Sequence, residues 1–292
     1  ACLIMIVGVL LLTAVRGVGH FWPHDVIRFS YQEDGNAAPQ TLFGEHIDTT
    51  VTPAAMARAS GFNMAEGEDA LVQYQLKTGN RDVTGADFRW IQERNIKRQD
   101  APADLMVVER REWGNFYGTL AAVKENGTVL AGGEQAWPVL EKKLAEALAV
   151  FDKITYLEKK EIGAINYGLE QLRLKQRSLE LKNLLDENAK KEIDAEKAAY
   201  ELEYKKHQAQ LSELYQQIRK YSLVAVTDSG VEREIPLAKV VRVYRPNAMS
   251  IVDKTGHYLS KLMEFFSDDP REANTEGGIF PAIFGTVMMV MM

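Results

Sequence analysis

Two stretches of this chain carry residue types and spacings that could do chemistry. In Lys77-Thr78-Gly79-Asn80-Arg81-Asp82-Val83-Thr84-Gly85-Ala86-Asp87, the glycines and the short polar side chains could offer backbone amides, Asn80 and the Arg81 guanidinium to an anion. The same composition also suits a plain turn between strands. In Glu109-Arg110-Arg111-Glu112, followed by Trp113, Phe116 and Tyr117, charge stands beside aromatic surface. Arg and aromatic side chains dominate binding hot spots, which makes Arg110, Arg111 and Trp113 candidate partner contacts. The alternative for that stretch is an ion-pair cluster under an aromatic lid.

Other chemistries lack their residues. The sequence has no glycine-rich loop ending in Lys-Ser or Lys-Thr, no His-Glu-x-x-His and no Cys-x-x-Cys. His20 and His24 stand four apart, but Pro23 between them spoils the helix that would aim both at a metal. His46 and His257 lie in segments with no sequence reason to converge, and His207 falls on an apolar helical seam, where a polar residue fixes register. Asn126-Gly127-Thr128 spells a glycosylation site, yet Asn-Gly between β-leaning runs is first a hairpin turn. The reading is therefore of a protein without catalytic centre, cofactor or metal.

The elements that must position these residues are legible from periodicity. Residues 26–31, 41–51, 70–77, 105–110, 118–123 and 128–130 lean to β structure, with Glu33-Asp34-Gly35-Asn36 as a turn after the first. From Trp137 the period changes: Leu140, Leu144, Ala147, Phe151 and Ile154 step by four and three, slip near Leu157, and resume at Ile165, Leu169, Leu172, Gln176 and Leu179. A returning stripe follows at Tyr200, Tyr204, His207, Leu211, Leu214, Ile218 and Tyr221. Two stripes separated by Asp186-Glu187-Asn188-Ala189-Lys190 read as an antiparallel coiled-coil hairpin. Residues 223–226, 231–235 and 240–244 then return to β, the first two around Asp228-Ser229-Gly230. Ile251, Tyr258, Leu259, Leu262, Phe265 and Phe266 mark one helical face, opposite Asp253, Lys254, Lys261 and Glu264, as in an interfacial helix.

Charge is distributed unevenly. All 41 acidic and 34 of the 35 basic residues lie between Trp22 and Gly277, so the insert carries a formal net charge of −7 and argues against a nucleic-acid surface. Residues 1–15 and 277–292 are uncharged. Extended to Phe21 and Trp22, the first run is about the 20 residues that a helix needs to cross a bilayer. It lacks the basic start and small-x-small site of a signal peptide. The lone Cys2 leaves the redox compartment open.

The second uncharged run is worded distinctively. Residues 272–286, Glu-Ala-Asn-Thr-Glu-Gly-Gly-Ile-Phe-Pro-Ala-Ile-Phe-Gly-Thr, resemble the entry to the permease core of PstA-type subunits of the phosphate-specific ABC importer. Residues 108–118, 162–170 and 244–250 resemble the extracytoplasmic insert of the longer forms of that family. The resemblance implies a permease subunit that passes phosphate through the bacterial inner membrane, its insert facing the periplasm. Its implied partners are a second permease subunit, cytoplasmic ATPase subunits, a periplasmic phosphate-binding protein and the lipid bilayer, with no nucleic acid. An extracytoplasmic sensing domain of a two-span receptor and a membrane-anchored coiled-coil adaptor are the other classes that the pattern admits.

The expected fold class is α+β and membrane-anchored. A transmembrane helix over 1–22 leads into a mixed α/β periplasmic part over 23–133, interrupted by a coiled-coil hairpin over 134–222. A β return over 223–249, an amphipathic interfacial helix over 250–270 and the start of a second transmembrane helix over 277–292 complete it.

Overall fold

The computed structural model describes residues 5, 7–9, 11–12, 17, 19, 21–33, 38–65, 67–268, 278 and 280–291. The chain divides into two compact units. The first comprises Ala1–Ala122, Val224–Ile235 and Lys239–Met292, the second Val123–Leu223 and Pro236–Ala238.

Two antiparallel sheets organise the β structure. In the five-stranded sheet, β1 (Val26–Tyr31), β2 (Gln40–Pro53), β3 (Ala70–Lys77), β4 (Phe88–Gln92) and β5 (Ile96–Asp100) run in the order β4-β3-β2-β1-β5. The other sheet contains β6 (Leu105–Arg110), β7 (Asn115–Glu125), β8 (Thr128–Gly132), β9 (Tyr221–Val226), β10 (Glu232–Pro236) and β11 (Val240–Tyr244). Its order is β10-β9-β7-β6-β11, with β8 paired to β7. Asn126 (φ 49°) and Gly127 (φ 81°) form the turn between β7 and β8 with two successive left-handed residues, as a tight hairpin requires.

Alternation places Phe29 and Tyr31 of β1, Leu42 of β2, Leu76 of β3 and Ile91 of β4 in one buried cluster. Val26 and Phe43 turn the other way and meet Leu105, Val107 and Tyr117, with Tyr244 packed beside them. Each such side chain contributes about 1.5–3 kcal/mol by leaving water. Every residue of β6 is buried, including Glu109 and Arg110, so this strand carries two charges into the interior that must be paired there.

Short helices α1 (Ala54–Ala59) and α2 (Arg81–Thr84) interrupt the first sheet. Helix α6 (Ile251–Ser267) starts from a capping box in which Ser250 and Asp253 satisfy each other's backbone amides. Lys261, on the face expected to be polar, is enclosed, while Ile251, Leu259 and Phe266 of the expected apolar stripe are exposed and Tyr258, Leu262 and Phe265 are half-buried. The reason is Glu109, which draws the Lys261 ammonium inward to 2.7 Å.

The second unit holds α3 (Ala136–Tyr156), a π-helical turn at Leu157–Ile162, α4 (Gly163–Leu181) and α5 (Glu187–Ile218). Asp186 caps α5 by accepting from the Ala189 amide at 2.7 Å. The expected coiled coil is not formed. A coiled coil needs an unbroken 3.5-residue repeat, and the π turn rotates side chains of the first arm out of phase at the slip near Leu157. Along the 32 residues of α5 only Ile193 and Ile218 are buried, and Tyr204 of the expected seam stays 38% exposed. The arms approach closely where Gly168 faces the Tyr200 ring.

The membrane-anchored fold class is overturned as well. Among the described residues no helix is long and apolar enough to cross a membrane. Met5, Val7, Gly8, Val9, Leu11, Leu12, Gly17 and Gly19 are helical. Helix α7 (Phe280–Met291) has 12 residues. Cys2, Arg16, His20, the turn at 34–36 and the stretch 269–277 lie outside the described residues.

Candidate functional site

The residues singled out in the sequence come together, though not as an anion site. Gly79 and Asn80 both take left-handed backbone (φ 55° each). A Cβ on Gly79 would stand 2.4 Å from the Asn115 carbonyl oxygen, so only glycine fits. Asn80 is buried, and its amide mimics a strand edge: Nδ2 donates to the Tyr117 carbonyl and Oδ1 accepts from the Tyr117 amide, both at 2.9 Å. Arg81 stays at the surface, 3.9 Å from Asp87.

Arg110 is also committed to structure. Its Nε donates to the Gly114 carbonyl at 3.0 Å, and Nη2 donates to Asp82 at 2.9 Å and to the Trp113 carbonyl at 3.1 Å. This fixes the left-handed pair Trp113 (φ 70°) and Gly114 (φ 71°), and leaves Trp113 54% exposed. The Arg111 amide donates to the Lys239 carbonyl at 2.8 Å, and Lys239 pairs with Glu112 at 2.9 Å. The two candidate stretches are therefore one joint, welded through Asp82 and Arg110.

The better site lies beside that joint and was not assembled by sequence reasoning. A cavity of about 350 Å³ opens in the first unit against the end of the five-stranded sheet. Its polar lining comes from His24, Glu45 of β2, Lys77 of β3, Asn115 of β7, and His257 and Lys261 of α6. Its apolar wall is Phe21, Trp22, Ile47, Phe88 and Tyr244, of which Ile47 and Phe88 are 45% and 49% exposed at the rim. His257 and Lys261 are one helical turn apart and share a face of α6. Glu45 and Lys77 are register partners on neighbouring strands and so project from the same face.

Two buried pairs set the electrostatics. The Tyr117 hydroxyl donates to Glu45 Oε1 at 2.9 Å, and burial, followed by the nearby Glu45 charge, holds this phenol well above its ordinary pKa. Lys261 meets Glu109 at 2.7 Å with both side chains almost fully enclosed. The His257 ring leans on Tyr244 with centroids 4.4 Å apart. The lining thus brings lysine and histidine nitrogens, an amide and one inward-held carboxylate against an aromatic wall. That arrangement can bind a small polar group carrying an apolar body. Among the described residues, no three His, Cys, Asp or Glu side chains gather as a metal would require.

A second hollow of about 660 Å³ lies between the helical arms, lined by residues such as Asp152, Tyr156, Leu157 and Leu214. It is a wide, solvent-open groove.

No protein-family model, curated protein or solved structure matches this chain. His24 and His257 were visible only as scattered histidines, because their convergence is tertiary, and Lys261 read as a solvated lysine. The one local signal was the sequence Lys77-Thr78-Gly79, which places a lysine directly before a strained turn.

Proposed function

We propose that this chain is part of a permease subunit of an ATP-driven phosphate import system, with its acidic, folded portion facing the extracytoplasmic side. Its partners in that reading are a second permease subunit, the ATPase subunits, a phosphate-binding protein and the surrounding lipid. One geometric observation carries the reading beyond the wording of residues 272–286. The two apolar ends of the chain are rooted together on α6. Phe21 packs on Phe265 with ring centroids 5.2 Å apart, Trp22 on Tyr258 at 6.1 Å, and Lys254 bonds Asp25 at 2.6 Å. Beyond these roots, Met5, Val7 and Leu11 at one end and Met289, Val290 and Met291 at the other are more than half exposed. Apolar surface of that extent is left bare only where a partner or lipid covers it.

The test is radiolabelled phosphate uptake in cells that lack other importers. Uptake is expected to vanish when the gene is deleted and to return with the intact gene. Uptake unchanged by the deletion removes the reading.

A further inference from the structure

The cavity between α6 and the five-stranded sheet is more particular than a generic pocket, because its lining carries both signs of charge. Lys77, His24 and His257 present nitrogens, and Asn115 adds an amide, which suits phosphoryl oxygens. A bare oxyanion, however, would also face the Glu45 carboxylate in the same wall. A ligand with an ammonium beside its phosphate turns that carboxylate into a partner. The other half of the lining, Trp22, Ile47 and Phe88, offers nothing to a hydrated ion and suits an apolar body.

We infer that this cavity binds a zwitterionic phosphate ester of the phosphoethanolamine type, with its phosphate on Lys77 and the histidines, its ammonium on Glu45, and its apolar part along Trp22 and Phe88. Phe21 and Trp22 root one apolar end of the chain and line the same cavity, so a lipid head group would enter it with its chains running along exposed apolar residues. The inference rests on the proposed permease role only for the presence of a bilayer beside the cavity.

The test uses the full chain in maltoside micelles, followed by Trp fluorescence and titration calorimetry. The probes are glycerophosphoethanolamine, inorganic phosphate, and vesicles in which phosphatidylethanolamine is either present or replaced by phosphatidylglycerol. Saturable binding of the ethanolamine ester, with inorganic phosphate failing to compete, is expected. Glu45→Gln, which keeps an acceptor for Tyr117, and Lys77→Gln should each weaken binding about tenfold, the equivalent of one charge-assisted bond. Phe88→Ala should weaken the lipid more than the soluble ester. Equal binding of lipid and ester assigns a soluble ligand, and binding of the lipid alone assigns the bilayer; either supports the site. No saturation by ester or lipid up to about 1 mM, where affinity is only about 4 kcal/mol, overturns it. So do equal competition by inorganic phosphate and indifference to Glu45→Gln in a variant that keeps the wild-type melting curve. Intact uptake without binding removes this inference alone, whereas binding by a protein dispensable for uptake leaves it standing.

Discussion

At the scale of single residues, the first unit encloses several ionisable groups and sets a polar partner against each. Lys261 and Glu109 are such a pair, and removing either would leave an uncompensated buried charge, a loss of about 3–5 kcal/mol. Tyr117 is the most informative, because burial raises its pKa and the pH dependence of stability follows from that direction. The unfolded phenol ionises near about pH 10, while the folded one keeps its proton. Its contribution is therefore fully present below about pH 10 and is lost as pH rises from there towards the folded pKa. Tyr117→Phe should lower stability at neutral pH, through loss of the bond to Glu45, yet lose less on going from about pH 9 to 11 than the wild type. The limiting difference is about 1.4 kcal/mol per pH unit. Urea unfolding across that range checks it, and parallel pH profiles for the two proteins would count against a buried neutral phenol.

At the scale of elements, the helical arms depend on close approach rather than on a heptad seam. A Cβ on Gly168 would lie 2.5 Å from the Tyr200 ring. Gly168→Ala should gain up to about 1 kcal/mol of helix propensity but lose about 1–3 kcal/mol to overpacking, for a net destabilisation. Adding Tyr200→Leu should recover the propensity gain. Helical circular dichroism in urea tests this, and a single Gly168→Ala variant more stable than wild type would show that the ring moves aside freely. Sequence periodicity located β1, β3, β6 and β11 at their observed bounds, because each is a run rich in apolar and β-branched residues. It missed β4 and β5, which form the two edges of their sheet, where polar residues such as Arg89, Lys97 and Arg98 are tolerated. It misread the arms because spacing by three and four looks alike whether the partner is a continuous seam or a few contacts. The cavity was illegible for a related reason: its residues come from β2, β3, β7, α6 and the segment before β1, and no local pattern reports that convergence. What local pattern did supply was the joint at Gly79 and Asn80, whose turn chemistry is written in the sequence itself.

At the scale of the whole molecule, the division into two units follows the path of the chain. The chain leaves the first unit after Ala122 and returns at Val224, positions on the neighbouring strands β7 and β9. The ends of the excursion are close, since the Asn126 amide donates to the Lys220 carbonyl at 2.8 Å. A segment that starts and ends at adjacent points of an antiparallel pair can be replaced by a turn without moving either strand. Replacing residues 127–219 by a short glycine-containing turn should therefore leave the first unit folded, with β7 and β9 joined as an ordinary hairpin. Shortening a connection also lowers its closure cost, by about 0.6 kcal/mol for each halving of length, so chain entropy does not oppose the change. The tryptophans make the measurement selective: Trp22, Trp90 and Trp113 belong to the first unit, and Trp137, the fourth, is removed with the excised segment. A single cooperative urea transition in tryptophan fluorescence is expected, together with retention of the binding ascribed to the cavity, all of whose lining residues remain. A gradual transition, or loss of ester binding on excision alone, would show that the first unit needs the helical arms to fold, and that the two units are one cooperative structure.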